Sequence, residues 1–370
     1  MDVISLTQKL IQFNTVNPPG NEKEIAEFCG EWLRERGFSV NYYQYAENRL
    51  GVVAEAGIDE HTPPVVLSGH LDTVPLGDKE WSVDPFGGEI RGGKLYGRGS
   101  CDMKGGVAAI MTAAVKALNS SVATSGVRLI LSASEEDGCK GAAFLARTVD
   151  LGKARGLVIA EPTDNLPVCA HKGALYMWVK AKGVTVHSSM PERGVNAIYK
   201  VARAITKIEK FSFKTEKDPV LGMPSINVGV VKGGQNINSV PDQAQFSIDV
   251  RSTTRVKHEA VVNELKNLLG DDLTLEPFVN CKPVYTDVKH PFVSLADAAC
   301  GVNRNSGEIP DSLPYATDAA FLQDYYDAPT VILGPGEAHM AHQTDEYCAL
   351  QSIEDAVEIY TKIIAGSLKR

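Results

Sequence analysis

Two histidines and several acidic residues stand at the margins of hydrophobic segments. His70 and Asp72 follow the run PVVLSG, and Asp102 sits in GRGSCDMKGG. Glu135 and Glu136 follow VRLILSAS, Glu161 follows GLVIA, and His342 lies in AHQTDEY. Carrying charge toward a hydrophobic interior is costly unless the charge is paired or bound to metal. One metal site explains this repeated placement better than a series of unrelated buried charges.

Each residue has a role in such a site and an ordinary alternative. His70 and Asp72 are two apart, so on a strand their side chains share a face. Just past a strand end they look into the crevice where open α/β sheets place ligands. Asp72 is suited to hold the second ring nitrogen of His70 and fix its tautomer. Buried His–Asp pairs also occur for structural reasons alone. Asp102 stands among Gly97, Gly99, Gly105 and Gly106, just ahead of a helical pattern. It could cap that helix or, as a carboxylate, bridge two cations. Glu135 and Glu136 project differently, so one could bind metal while the other serves as general base. An acidic loop is the plain alternative. Glu161 offers a further oxygen, and His342 an imidazole from far along the chain. A mixed histidine–carboxylate set suits zinc, and also cobalt or manganese. The Asp102 segment lacks the residue order of a phosphate loop, and its acid opposes phosphate. Cys101 is either a reactive thiol or a small buried side chain; no histidine is placed as its obvious base.

The chain has 370 residues, a formal net charge of -9 and seven scattered cysteines with no CxxC pair. It exceeds the usual size of one domain and can bury a large core. Its acidic balance disfavours nucleic acid as a partner, because phosphate binding needs a basic footprint. No apolar run is long enough to span a bilayer. The N-terminal MDVISLTQKLIQF lacks the features of a signal peptide, so a cytoplasmic location with reduced thiols is expected.

The elements that must hold these residues follow from periodicity. Ile25, Phe28, Cys29, Trp32 and Leu33 mark one helical face, with Gly37 as a stop. Val65, Val66 and Leu67 read as a buried strand, Val107 to Leu118 as an alanine-rich helix and Val127 to Ala133 as a strand. A helix containing Phe144 and a strand from Leu157 to Ala160 follow. Alternating strands and helices predict an α/β layer structure with a mostly parallel sheet. The pattern changes near Gly173. Ile226, Val228 and Val230 alternate with smaller or polar residues, as do Phe246, Ile248 and Val250, which predicts a sheet covered on one face. Helical spacing recurs at Ile198, Val201, Ile205 and Ile208, and at Val256, Val261 and Leu265. Thr330 to Leu333 reads as another buried strand, and Ile353, Val357, Tyr360 and Ile364 as a final amphipathic helix. The expected organisation is a catalytic domain in two parts, 1–172 and 288–370, interrupted by an α+β domain at 173–287.

In order along nearly the whole chain, SGHLDTVP, GRGSCDMKGG, SASEEDG, IAEPT and GPGEAHMAHQTDEY carry a specific resemblance. They resemble the co-catalytic metallopeptidase and amidohydrolase family that includes acetylornithine deacetylase, succinyl-diaminopimelate desuccinylase, aminoacylase-1 and carboxypeptidase G2. The resemblance implies a zinc-peptidase-like catalytic domain with a lid or dimerisation domain inserted into it. It implies that His70 and Glu161 complete one metal position, Glu136 and His342 the other, and that Asp102 bridges them. Asp72 would orient His70, Glu135 would be the general base, and a cis peptide would join Asp102 to Met103. TVHSSMPERGVNAI resembles the family's lid segment, so His187 would stabilise the tetrahedral intermediate, often from a partner subunit of a homodimer. Asn238 in NSVP and Arg251 in DVR resemble substrate-binding residues of the lid. Of the two nearby histidines, the AHQTDEY match favours His342 over His339.

The activity implied is hydrolysis of an amide by metal-activated water, with two divalent cations as cofactors. The substrate would be a small N-acyl amino acid or short peptide. LPYATDAAF and AHQTDEY resemble acetylornithine deacetylases more than desuccinylases, so an acetylornithine deacetylase-like activity is the leading expectation. A desuccinylase or another aminoacylase, a di- or aminopeptidase, and a non-catalytic binding protein of the same fold are the alternatives.

Overall fold

The computed structural model describes residues 1–59, 61–120, 126–304 and 312–367. The chain divides into two compact units. The first comprises Met1–Ala170, Tyr285–Asp311 and Thr317–Arg370; the second comprises His171–Val284 and Ser312–Ala316.

The first unit is built on a six-stranded sheet in the order Ser39–Ala46, Arg49–Ala56, Val127–Ser132, Val65–His70, Gly156–Ile159, Thr330–Ile332. The first two pairings are antiparallel and the remaining three parallel. It is thus the mostly parallel mixed sheet of an α/β fold. Every residue of Val65–His70 and of Val127–Ser132 is buried, as strands covered on both faces require. The helices Lys104–Leu118 and Leu350–Gly366 pack on each other, and Lys140–Thr148 packs on Ala319–Tyr326. Lys104–Leu118 is rich in alanine and buries residues all round its circumference, the mark of a core helix. It also sits very close to the sheet: a Cβ on Gly106 would lie 2.3 Å from the carbonyl oxygen of Ala160. Only glycine permits that approach, and it lands beside the residue that precedes Glu161.

The second unit is an α+β layer. Gly173–Lys182 pairs antiparallel with Gln243–Ser252 and with Leu273–Cys281; Ser225–Asn227 and Val231–Gly233 both pair with Gln243–Ser252. Leu175, Met177, Val179, Phe246, Ile248 and Val250 form one face of the sheet and make a core with Val201, Ile208, Val261 and Leu265 of helices Ala197–Glu209 and His258–Leu269. The alternation read from the sequence is that covered face. One strand differs from expectation. The run through Val228 and Val230 is broken, because residues 227–231 take one more residue than the partner segment 246–249. The Oγ of Ser247 accepts from the Val230 N–H at 3.0 Å, and the Ser247 N–H donates to the Val230 carbonyl at 2.9 Å. This is a bulge in which a side chain replaces a ladder partner.

Candidate metal centre

Three adjacent parallel strands end at the same edge of the large sheet, and each hands an acidic or imidazole group to it. His70 is the last residue of its strand and lies level with Ser132; Glu135 and Glu136 follow Ser132, and Glu161 follows Gly156–Ile159. Open parallel sheets place their ligands at this edge.

His70 is buried, and its two nitrogens face different partners. Nδ1 lies 2.9 Å from the carbonyl oxygen of Asp72 and 3.5 Å from Asp72 Oδ1. Both partners are acceptors, so Nδ1 carries a proton, and Nε2 is the nitrogen turned toward the acidic cluster. Nε2 lies 3.1 Å from Asp102 Oδ1 and 3.9 Å from Glu161 Oε1. The closer partner of Nδ1 is the Asp72 carbonyl rather than its carboxylate. The carboxylate is occupied elsewhere: Oδ2 accepts from Asn17 Nδ2 at 2.8 Å and from the Glu136 N–H at 3.1 Å, and Oδ1 from the Glu135 N–H at 3.0 Å. Asp72 therefore fixes His70 through its backbone and the two glutamates through its side chain. Burial raises the Asp72 pKa, but His70 and these donors outweigh it and hold the carboxyl below its ordinary range.

Asp102 faces the two histidines with its two oxygens. Oδ1 meets His70 Nε2, while Oδ2 lies 3.3 Å from His342 Nε2. It does not cap the helix that follows; Met103 occupies the cap position, with no side-chain cap bond. The Asp102–Met103 peptide is cis. His342 Nε2 also lies 3.2 Å from Glu136 Oε2. His339, by contrast, is 3.5 Å from Glu337 Oε2 on the surface. Ligand atoms of His70, Asp102 and Glu136 lie within 4.8 Å of one another, as do those of His70, Glu135 and Glu161.

The electrostatics match a place for cations. Burial, then the charge of neighbouring Glu161, pushes Glu135 well above the usual carboxylate range. Burial and then Asp102 do the same to Glu161, and raise Glu136 to about 7. Burial opposes ionisation of Asp102 too, but contacts from His342 and His70 hold its carboxyl low. Asp102, then Glu136, raises His342 to about 10. Glu136 Oε1 is buried without a hydrogen-bond partner, which is costly. A divalent cation would satisfy that orphan oxygen and relieve the crowding of four carboxylates. The residues present fit such a group, with histidine and carboxylate donors of the kind zinc accepts.

Other residues hold the loops, and the sequence reading missed them. Glu346 Oε1 accepts from the N–H groups of Cys101 at 2.8 Å and Asp102 at 3.0 Å, while Oε2 pairs with Arg98 Nη1 at 2.6 Å. Both members of that pair are buried. Glu22 and Arg49 form a buried two-pronged pair at 2.5 and 2.6 Å that also engages Ser134, immediately before Glu135. Glu346 lies in the AHQTDEY segment, so its signal was present but unread; Glu22 and Arg49 carry none. Cys101 is buried, and its thiol donates to the Glu337 carbonyl at 3.4 Å. Burial pushes that thiol well up, which matches the small-side-chain reading rather than a nucleophile.

The remaining predicted residues lie in the second unit. His187 is exposed, and its Nδ1 accepts from the Ser189 N–H at 3.2 Å. That assigns the ring proton to Nε2, as a donor. Asn238 is exposed, and its carbonyl accepts from the Ser188 N–H at 3.0 Å. Arg251 is partly buried, 2.6 Å from Tyr176 Oη through Nη2 and 2.9 Å from Asp249 Oδ1 through Nε.

Comparison with known proteins places these geometries in context. A profile described as Peptidase family M20/M25/M40 matches residues 66–366. A protein of Staphylococcus aureus strain Mu50, named as a probable succinyl-diaminopimelate desuccinylase, is 30% identical over 395 residues, covering 97% of this chain and 98% of that protein. The crystal structure of an M20 family metallo-carboxypeptidase, Sso-CP2 from Sulfolobus solfataricus, superimposes with a TM-score of 0.82 at 18% identity, covering 99% of each chain. That of the Bacillus subtilis YXEP protein, a dinuclear metal binding peptidase from the M20 family, gives a TM-score of 0.70 at 17% identity, covering 99% of this chain and 97% of the other.

Proposed function

The chain belongs to Peptidase family M20/M25/M40 and is a metal-dependent hydrolase of the peptidase and deacylase type; from that premise we propose that it removes a short acyl group from an N-acyl amino acid. In this reading His70 and Glu161 would hold one divalent cation, His342 and Glu136 a second, and Asp102 would serve both. The observation that supports it best is Asp102 itself, with one oxygen facing each histidine. Bound cations, zinc before cobalt or manganese, would supply Lewis acidity and a water of lowered pKa. Glu135 takes the proton of the attacking water and returns it to the leaving amine. Its buried site keeps its basicity high enough for that exchange. His187, with its proton on Nε2, donates to the developing oxyanion. Arg251 and Asn238 bind the amino-acid carboxylate and backbone. We assign His187 to act across a homodimer formed through the second unit. Val184, Tyr199, Val231 and Ile237 of that unit are exposed apolar side chains, of the kind an association surface would bury.

The acyl group has two candidates. The LPYATDAAF and AHQTDEY segments favour an acetyl group, as in an acetylornithine deacetylase-like enzyme. The 30% identity to a protein named as a desuccinylase favours succinyl. Hydrolysis of N-acetylornithine, N-succinyl-diaminopimelate, N-formyl amino acids and control dipeptides by the zinc and cobalt forms tests the choice. Faster turnover of dipeptides than of every acyl amino acid would replace the deacylase reading with a peptidase one.

A further inference from the structure

Behind Glu135 lies a buried cluster that the mechanism above does not use. The Cys139 thiol is 3.4 Å from Glu135 Oε1. A ligand atom of Asp318 lies within 4.8 Å of those of both Glu135 and Cys139. Asp318 is 1% exposed; one oxygen bonds to Ser132 Oγ, and Oδ1 has no hydrogen-bond partner. Cys139 itself is 2% exposed.

The backbone at Cys139 makes the side chain informative. Its φ is +55, in the left-handed region that L side chains rarely adopt. The turn is tied by the N–H groups of Gly138 and Cys139, which donate to the Glu135 carbonyl at 2.9 and 2.8 Å. Glycine would make this turn without steric opposition, as Gly138 does just before it. A side chain kept there needs a reason beyond the turn, and the thiol's contact with the Glu135 carboxylate supplies one.

We propose that Cys139 is a positioning residue for Glu135: its S–H donates to Oε1, while the thiol's contact with the Asp318 carboxyl on its other side holds the sulfur in place. One carboxylate oxygen is thereby pinned and the other is left for the attacking water. The proposal rests on Glu135 as general base. Pinning matters because a general base must sit within hydrogen-bond reach of the proton it takes.

The test compares Cys139→Ala, Cys139→Gly and Cys139→Ser in the metal-loaded enzyme. Cys139→Ala keeps the left-handed backbone and deletes the donor; Cys139→Gly deletes the donor and relaxes the backbone; Cys139→Ser restores a donor. Expected are a kcat loss of roughly tenfold or more in both Ala and Gly variants, KM and metal content within about twofold of wild type, and partial recovery in Ser. In a Glu135→Gln background the Ala change should cost nothing further, since there is no base left to position. Recovery of kcat in Cys139→Gly would assign the loss to the backbone and overturn the proposal. So would wild-type kcat in Cys139→Ala, or an undiminished loss in the Glu135→Gln background. Near-normal kcat in Glu135→Gln alone would remove the general-base reading instead, and the proposal with it.

Discussion

Asp72→Asn tests whether the centre is organised from outside its ligands. The Asp72 carboxylate accepts from Asn17 Nδ2 and from the N–H groups of Glu135 and Glu136, at 2.8, 3.0 and 3.1 Å. Asparagine retains the shape but offers one accepting oxygen and an NH₂ group. At least one of the three donors must then face another donor. Hydrogen bonds to a charged group contribute about 1.5–3 kcal/mol each. Losing one of them corresponds to roughly a tenfold to hundredfold change, the range seen when outer partners of metal ligands are altered. His70 should suffer less, because its closest acceptor is the Asp72 carbonyl, which the substitution keeps. The expected result is metal affinity weaker by about tenfold to a hundredfold, with the fold retained and kcat reduced in the saturated enzyme. Calorimetric titration of the EDTA-treated protein with zinc or cobalt measures the affinity, and circular dichroism the fold. Unchanged affinity together with unchanged kcat would show that the loop carrying Glu135 and Glu136 holds itself, and would refute the reasoning.

Three further outcomes are expected. Glu135→Gln should keep metal and fold but lower kcat by at least about 100-fold; near-normal turnover would exclude Glu135 as the base. In metal-free protein, the raised pKa of Glu136, about 7 against 4.5 in the unfolded chain, contributes stability present below pH 4.5 and lost as pH rises through 7. Glu136→Gln should therefore gain stability over wild type between pH 5 and 8, by on the order of 1–3 kcal/mol in denaturant titrations, and lose that advantage once zinc is added; a pH-independent difference would contradict this. Mixing inactive His187→Ala and Glu135→Gln proteins should restore up to about one quarter of the wild-type rate per chain after random subunit exchange; proven heterodimers without activity would place His187 within its own chain or outside catalysis.

What could be read from the sequence follows a physical division. His70, Glu135, Glu136 and Glu161 stand just after apolar runs, and those runs are neighbouring parallel strands that end together. A strand's buried stretch announces its own end, so a polar group there is visible in one dimension. The break at Val228 and Val230 was not visible, because it depends on the Ser247 side chain from a distant strand. The supports of the site were hidden for the same reason. Glu346 reaches back across 245 positions to the Cys101 N–H, and Glu22 across 112 positions to the Ser134 N–H; no periodicity encodes either.

Asp102 and His342 differ from the strand-end residues in how they are held. Sheet register fixes the strand-end groups, since pairing of His70 with Ser132 sets both to within a residue. Asp102 and His342 come from loops, which have no ladder to set them. Glu346, four residues beyond His342, ties the two loops together: its carboxylate takes the Cys101 and Asp102 N–H groups, and Arg98 balances its charge. A buried pair of this kind is weak as a source of net stability but strong as a constraint, because removing one member leaves the other charged and unpaired. Asp102 and His342 are therefore placed by one clamp, and errors in the position of one loop are carried to the other. That coupling is what keeps Asp102 Oδ1 on His70 and Oδ2 on His342 at once.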